Sequence, residues 1–277
     1  MRITLFGASG LLGQAWVRQC KQDELTAPSS KDVDIRDASQ VLAQLQVSRP
    51  EWVVLAAAYT DVDGCETNPE LCVAVNTTGA VNVARAAKEV GGRLLFFSTD
   101  YVFGGTGTKP YETDDARDPI NVYGRAKAEA ELQLLELMPD CCIVRTSWLF
   151  GAGRKCFPGT ILELGRTREE IRVVTDQKGC PTLADDLAGA ARRLCELNAR
   201  GIVQVTNAGA CSWFEFAQET VRGAGLETRV LPTTSAEFVR PAQRPAYSVL
   251  STDSLHRHGI AMPPWQDALA RYLAQEA

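Results

Sequence analysis

The chain has 277 residues, of which 45% are hydrophobic, and 29 Lys and Arg stand against 34 Asp and Glu for a formal net charge of −5. That length buries a large core, either as one α/β domain or as a dinucleotide domain with a smaller lobe. The acidic balance excludes a broad nucleic-acid-binding surface, and no apolar run is long enough to cross a membrane. Nine cysteines without a CxxC, and two histidines confined to His256 and His258, point away from a disulfide scaffold, a His-dependent hydrolase and a zinc site. Reduced structural thiols in a cytoplasm, with no metal, are the expectation.

Met1-Arg2-Ile3-Thr4-Leu5-Phe6 reads as a short strand, with no signal peptide ahead of it. Gly7-Ala8-Ser9-Gly10-Leu11-Leu12-Gly13 follows at once and leads into a helical run to about Cys20. Strand, glycines, helix is the context in which a dinucleotide is bound. Gly7 allows the tight turn, Gly10 lets backbone amides approach a pyrophosphate, and Gly13 lets the helix pack closely on the strand. The spacing is GxxGxxG rather than GxGxxG, so the flanks carry the reading. A second strand is expected over residues 24–28, followed by Ser29-Ser30-Lys31. An NAD-selective site would place an acid near that strand end to hold the ribose hydroxyls, whereas hydroxyls and Lys31 suit a 2′-phosphate. NADPH is therefore the first choice, and NADH stays open because Asp32 and Asp34 are close by. Asp34-Ile35-Arg36-Asp37 reads as a loop and cap before a helix over 38–47.

Residues 51–58 form an apolar run buried enough for a parallel strand, ending in the small Ala57 and Ala58 where a cofactor would cross the sheet edge. Asp61, Asp63 and Glu66 read as helix caps or solvated charges rather than metal ligands. Residues 71–88 read as an amphipathic helix; Asn76 inside it is expected on the exposed face, or in support of an active-site lysine.

The stretch 94–127 organises the rest. An apolar strand ends in Ser98-Thr99-Asp100-Tyr101, and after a polar loop Tyr123-Gly124-Arg125-Ala126-Lys127 opens a helix. Four residues of separation put Tyr123 and Lys127 on one helical face. A nearby ammonium favours phenolate and so lowers a tyrosine pKa from its ordinary value of about 10, which makes Tyr123 a usable proton donor. The Thr99 hydroxyl can hydrogen-bond the same reacting oxygen as charge develops on it. The Tyr–Lys spacing arises by chance in roughly one such chain in seven, so the upstream dinucleotide signal is what raises it. A further buried strand over 141–146 precedes Ser147-Trp148-Leu149-Phe150-Gly151, and Arg154-Lys155 reads as a solvated loop, with phosphate recognition as the alternative. Strands and helices alternate through the first 150 residues, as in a doubly wound parallel sheet. The chain is expected to rejoin that sheet over about 170–206, with 151–169 and 207–277 forming a smaller substrate-binding lobe.

Together GASGLLG, STDYVF, YGRAK, VRTSWLFG, DQKGCPT and RPAYSVL resemble the extended short-chain dehydrogenase/reductase superfamily, and within it the dTDP-4-dehydrorhamnose reductases. The resemblance spans nearly the whole chain in consistent order. It implies a Rossmann-like sheet and reduction by NAD(P)H of the C4 ketone of a nucleotide-linked 6-deoxy-4-ketohexose. On that resemblance Tyr123 is the proton donor, Lys127 its tuning partner and nicotinamide-ribose ligand, and Thr99 the carbonyl-polarising hydroxyl. Gly7, Gly10, Leu11, Leu12, Gly13, Lys31, Asp34, Ile35, Ala57, Ala58 and Thr60 fall at cofactor positions. Tyr101, Trp148 and Arg244 fall on the substrate side, where aromatic faces stack on the apolar face of a deoxysugar. An epimerase or dehydratase of the same superfamily, and a non-catalytic NADP-binding regulatory subunit, are the alternatives. The expected partner is a small nucleotide-sugar, with no nucleic acid or membrane; the oligomeric state, a homodimer included, is open.

Overall fold

A computed structural model describes residues 1–276. Five parallel strands, β1 (Arg2–Phe6), β2 (Glu24–Thr26), β3 (Trp52–Leu55), β4 (Arg93–Thr99) and β5 (Cys142–Thr146), join the strand Gly201–Gln204 in one sheet. Its spatial order is Gly201–Gln204, β5, β4, β3, β1, β2. Register is set by pairs such as Thr4 with Val53, Val54 with Leu95, and Thr99 with Thr146. Successive side chains of a strand face opposite ways, so a sheet covered on both sides takes near-continuous apolar runs. In β4, Leu95 and Phe97 pack under the helices Leu11–Gln19 and Ala184–Glu196. Leu94 and Phe96 pack under Ala38–Ser48, Gly79–Glu89 and Val122–Leu137. Trp16, fully buried, meets Phe97 edge-on at 5.9 Å, a geometry worth about 0.5–1.5 kcal/mol beyond its area. This is the Rossmann-like sheet expected, and chain direction through it reverses between β1 and β3, where such sheets open a crevice at their carboxyl ends.

Three elements differ from the sequence expectation. The second strand stops at Thr26 rather than residue 28. The third covers Trp52–Leu55 rather than 51–58, because the amides of Ala56 and Ala57 both turn onto the Phe6 carbonyl at 2.9 Å and leave the ladder at the crevice. The helix expected over 71–88 runs from Pro69 to Glu89 through a wide π turn at Ala74–Thr78. That turn rolls Asn76 inward: it is buried, takes the Tyr59 amide on Oδ1 and gives Nδ2 to the Tyr59 carbonyl, both at 2.9 Å. Asn76 therefore pins the loop after β3, and its hydrogen bonds among the described residues go to Tyr59 and Cys72 rather than to Lys127.

Glu170–Val174 pairs with Arg229–Thr233 and not with the central sheet, so the chain re-enters the sheet layer only through Ala184–Glu196 and Gly201–Gln204. The helices Phe157–Gly165, Trp213–Gly223 and Trp265–Glu276 enclose a separate core around Phe150, Phe216 and Tyr272. Ser212 and Glu215 form a reciprocal capping box that starts the second of these helices. All nine cysteines are free and buried.

Candidate active site

β1 delivers Phe6 to a turn in which Gly7 adopts φ +95°. A Cβ there would lie 2.4 Å from the Ala57 amide nitrogen, and one on Gly13 would lie 2.0 Å from the Gly7 carbonyl oxygen. Both neighbours are backbone and cannot yield, so only glycine lets strand, loop and helix approach this closely. The Gly10 amide closes the turn onto Gly7 at 3.0 Å, and the helix that follows has no acid in its first turn. Free N–H groups at an unopposed positive helix end suit a pyrophosphate, so the residues present fit a dinucleotide. Leu12 is turned into the core and Leu11 packs between the two cores, which leaves their backbone amides as the groups available to a ligand. Ala57 and Ala58 floor the crevice half-buried, and Thr60 is exposed.

At the β2 side, Ile35 is buried with its carbonyl held by Asn82 Nδ2 at 3.1 Å, and Lys31 is exposed. The Arg36 guanidinium grips the Asp34 carboxylate at 2.5 Å and holds it below the usual carboxylate range. Arg36 was not singled out in the sequence; Arg154, which was, reaches the Ser9 carbonyl with Nε and Nη2 at 3.0 and 2.7 Å. Arg154 is exposed, as a solvated loop residue should be, and also reaches the glycine loop from 145 positions away. No local pattern reports such a contact.

Thr99 ends β4 and caps the turn Asp100–Val102, accepting the Tyr101 amide at 3.2 Å. Tyr123 and Lys127 stand one turn apart on Val122–Leu137. That helix is anchored at its start by three groups: Asn121 accepts the Gly124 amide at 2.8 Å, Glu66 accepts the Val122 amide at 2.7 Å, and Asn121 donates to the Gln243 carbonyl at 2.9 Å. Gly124 is needed because a Cβ there would lie 2.1 Å from the Tyr101 carbonyl oxygen; its absence lets the helix bring Tyr123 beside Thr99. Burial pushes the Tyr123 phenol up, and contact with the Thr99 hydroxyl offsets part of that. Lys127 is buried, donates from Nζ to the Phe97 carbonyl at 2.6 Å and sits 3.9 Å over the Phe96 ring. Burial lowers it to about 7. The expected lowering of the phenol by the ammonium is thus not what this arrangement shows: the ammonium is spent on β4, and burial sets the tyrosine.

On the substrate side, Tyr101 meets Tyr123 edge-on at 6.2 Å. Trp148, at φ +47°, stacks on Trp213 with centroids 3.5 Å apart. Trp213 was missed; its Nε1 donates to Gln177 at 3.1 Å. Burial pushes the Tyr101 phenol up with Arg244 opposing it, and Arg244 Nη1 is shared between Asp63 at 2.9 Å and the Ala242 carbonyl at 2.8 Å. Asp63 also binds Arg240 at 2.7 Å, so the acid read as solvated is a latch for two arginines. Asp61 and Glu66 act as caps. A cavity of about 1030 Å³ is lined by Gly107–Glu112, Asp115, Ala116, Cys180, Thr206–Ala210 and Val249–Asp253 and includes none of Thr99, Tyr123 or Lys127. Among the described residues no group of three His, Cys, Asp or Glu could hold a metal ion, and no helix is long and apolar enough to cross a membrane.

The sequence profile of the RmlD substrate binding domain matches residues 1–277. A dTDP-4-dehydrorhamnose reductase of Streptomyces griseus is 40% identical over 273 residues, 95% of this chain and 90% of that protein. The spore coat polysaccharide biosynthesis protein SpsK of Bacillus subtilis is 39% identical over 278 residues, 100% and 98% of the two chains. The crystal structure of dTDP-4-dehydrorhamnose reductase from Bacillus anthracis in complex with NADP superposes with a TM-score of 0.96 at 38% identity, covering 99% of each chain.

Proposed function

This chain belongs to the RmlD substrate binding domain family, and on that premise we propose that it is an NADPH-dependent reductase of the C4 ketone of a nucleotide-linked 6-deoxy-4-ketohexose. The substrate we assign is dTDP-4-dehydro-L-rhamnose and the product dTDP-L-rhamnose. The observation that carries the reading is the convergence of Thr99, Tyr123 and Lys127 at the carboxyl end of β4, beside a crevice whose glycine loop fits a dinucleotide.

The backbone of Gly7, Gly10, Leu11, Leu12 and Gly13 would hold the pyrophosphate, Asp34 and Ile35 the adenosine end, and Ala57, Ala58 and Thr60 the middle of the cofactor. When bound, the dinucleotide supplies the hydride equivalent for the carbonyl carbon. Tyr123 gives its proton to the carbonyl oxygen as general acid. The Thr99 hydroxyl shares the developing negative charge. Lys127, one turn along the helix and bonded to the Phe97 carbonyl at 2.6 Å, would favour the phenolate left behind when it carries its proton. Tyr101 and the Trp148–Trp213 stack offer flat apolar faces to the deoxysugar. Arg244 and Arg240, held together by Asp63, offer two guanidinium forks to the diphosphate.

The test is absorbance loss of added NADPH while the protein meets dTDP-4-dehydro-L-rhamnose generated in the same vessel, with the product identified as dTDP-L-rhamnose. Stoichiometric consumption is expected, faster with NADPH than with NADH. Bound NADPH that is never consumed with this ketosugar overturns the assignment.

A further inference from the structure

Asp100 is the group at this site that the reaction above leaves unused. It follows Thr99 directly, is 2% exposed, and has both carboxyl oxygens engaged by hydroxyls. Oδ1 lies 3.0 Å from Thr99 Oγ1 and Oδ2 lies 2.5 Å from Ser248 Oγ. The other titratable groups facing it are Tyr101 on its own turn, Tyr123 on the helix Val122–Leu137 and Cys180 on the turn before Thr182–Leu183.

A threonine hydroxyl has one hydrogen and two acceptor sites. One acceptor site of Thr99 is filled by the Tyr101 amide. If Asp100 is ionised, it takes the single Thr99 hydrogen, and Thr99 then has no hydrogen to give to a carbonyl oxygen. If Asp100 is neutral with its proton on Oδ1, it donates to Thr99, fills the second acceptor site and turns the Thr99 hydrogen outward toward Tyr123 and the reacting oxygen. Ser248 donates to Oδ2 in both states.

We propose that Asp100 is a positioning residue that works as the neutral acid: it donates to Thr99 and so sets the Thr99 hydroxyl to donate to the substrate carbonyl. This rests on the reductase reading for the identity of the reacting oxygen. Burial favours the neutral form, raising Asp100 to about 7 against the Ser248 and Thr99 hydroxyls and the Asp100 and Tyr101 amides, all of which stabilise the anion. No proton is consumed at Asp100, which returns to the same state after each turnover.

Two measurements on the NADP-loaded protein test it. Infrared spectroscopy at pH 6 should show the C=O stretch of a buried protonated carboxyl, absent from Asp100→Asn and fading in the wild type as pH rises through about 7. Absence of an Asp100-dependent band at pH 6 overturns the proposal whether or not the chain reduces the assigned sugar. Steady-state turnover of Asp100→Asn and wild type is then compared across pH. The amide is a donor at every pH, so the ratio of variant kcat to wild-type kcat should rise about tenfold or more from pH 6 to pH 8.5. Any titration of Lys127 is common to both proteins and cancels in that ratio. In a Thr99→Val background the ratio should become flat, since Asp100 acts only through that hydroxyl. A flat ratio with Thr99 intact, or one that persists in Thr99→Val, overturns it. A wild type that turns over no ketosugar sinks the reductase reading instead, and the infrared titration then decides Asp100 alone.

Discussion

Glu131 stands one turn beyond Lys127 on the same helical face and has no exposure to solvent. It takes Arg145 Nε and Nη2 at 2.9 and 2.7 Å and Arg117 Nε at 2.7 Å. Arg145 is itself fully buried and spends Nη1 on the Thr113 carbonyl at 3.1 Å. Glu131→Ala removes the only carboxylate bonded to Arg145 among the described residues and leaves a buried cation uncompensated, which costs about 3–5 kcal/mol. At this length a kcal/mol moves Tm by about 2 °C, so thermal unfolding should begin about 5–10 °C lower. Replacing both partners, Glu131→Leu with Arg145→Met, removes the uncompensated charge; Arg117 is partly exposed and keeps its water. The double variant should recover at least half of the loss, because a buried ion pair exchanged for apolar side chains of similar volume is often neutral. Calorimetry of the three proteins at pH 7 is the assay. A single variant within about 2 °C of wild type, or a double variant as unstable as the single, would refute the reasoning that the network holds the catalytic helix through charge compensation.

Tyr123→Phe should retain NADPH binding by fluorescence and lose turnover by about 10²-fold or more, the scale of general-acid catalysis; retained turnover would remove the assigned role. Gly13→Ala should abolish measurable NADPH binding, since its Cβ would lie 2.0 Å from the Gly7 carbonyl oxygen, and fluorescence titration reads it directly. Lys127 has a folded pKa near 7 against an ordinary 10.5, so between those values the unfolded chain binds the proton more tightly and this group makes stability rise with pH. Lys127→Met should flatten that rise in denaturant midpoints taken at pH 7 and pH 10. Asp63→Asn should leave NADPH affinity unchanged and alter KM for the nucleotide-sugar several-fold, because it frees Arg240 and Arg244 from their shared carboxylate; an unchanged KM would remove both arginines from the diphosphate site.

The sequence by itself determined the sheet and the two ends of the chemistry. Strands buried on both faces are apolar at most positions, and the glycines of the first turn and of Tyr123-Gly124 stand where backbone meets backbone. Those constraints are local in the chain, and so is the four-residue spacing of Tyr123 and Lys127. What only the tertiary structure decided are the contacts between residues far apart in the chain. Arg154 on Ser9, Trp213 on Trp148, Asp63 on Arg244 and Ser248 on Asp100 each join segments that share no periodicity. Charge states belong with them. Lys127 and Asp100 stand where generic pKa values mislead, because burial, which no short motif encodes, outweighs the charges beside them.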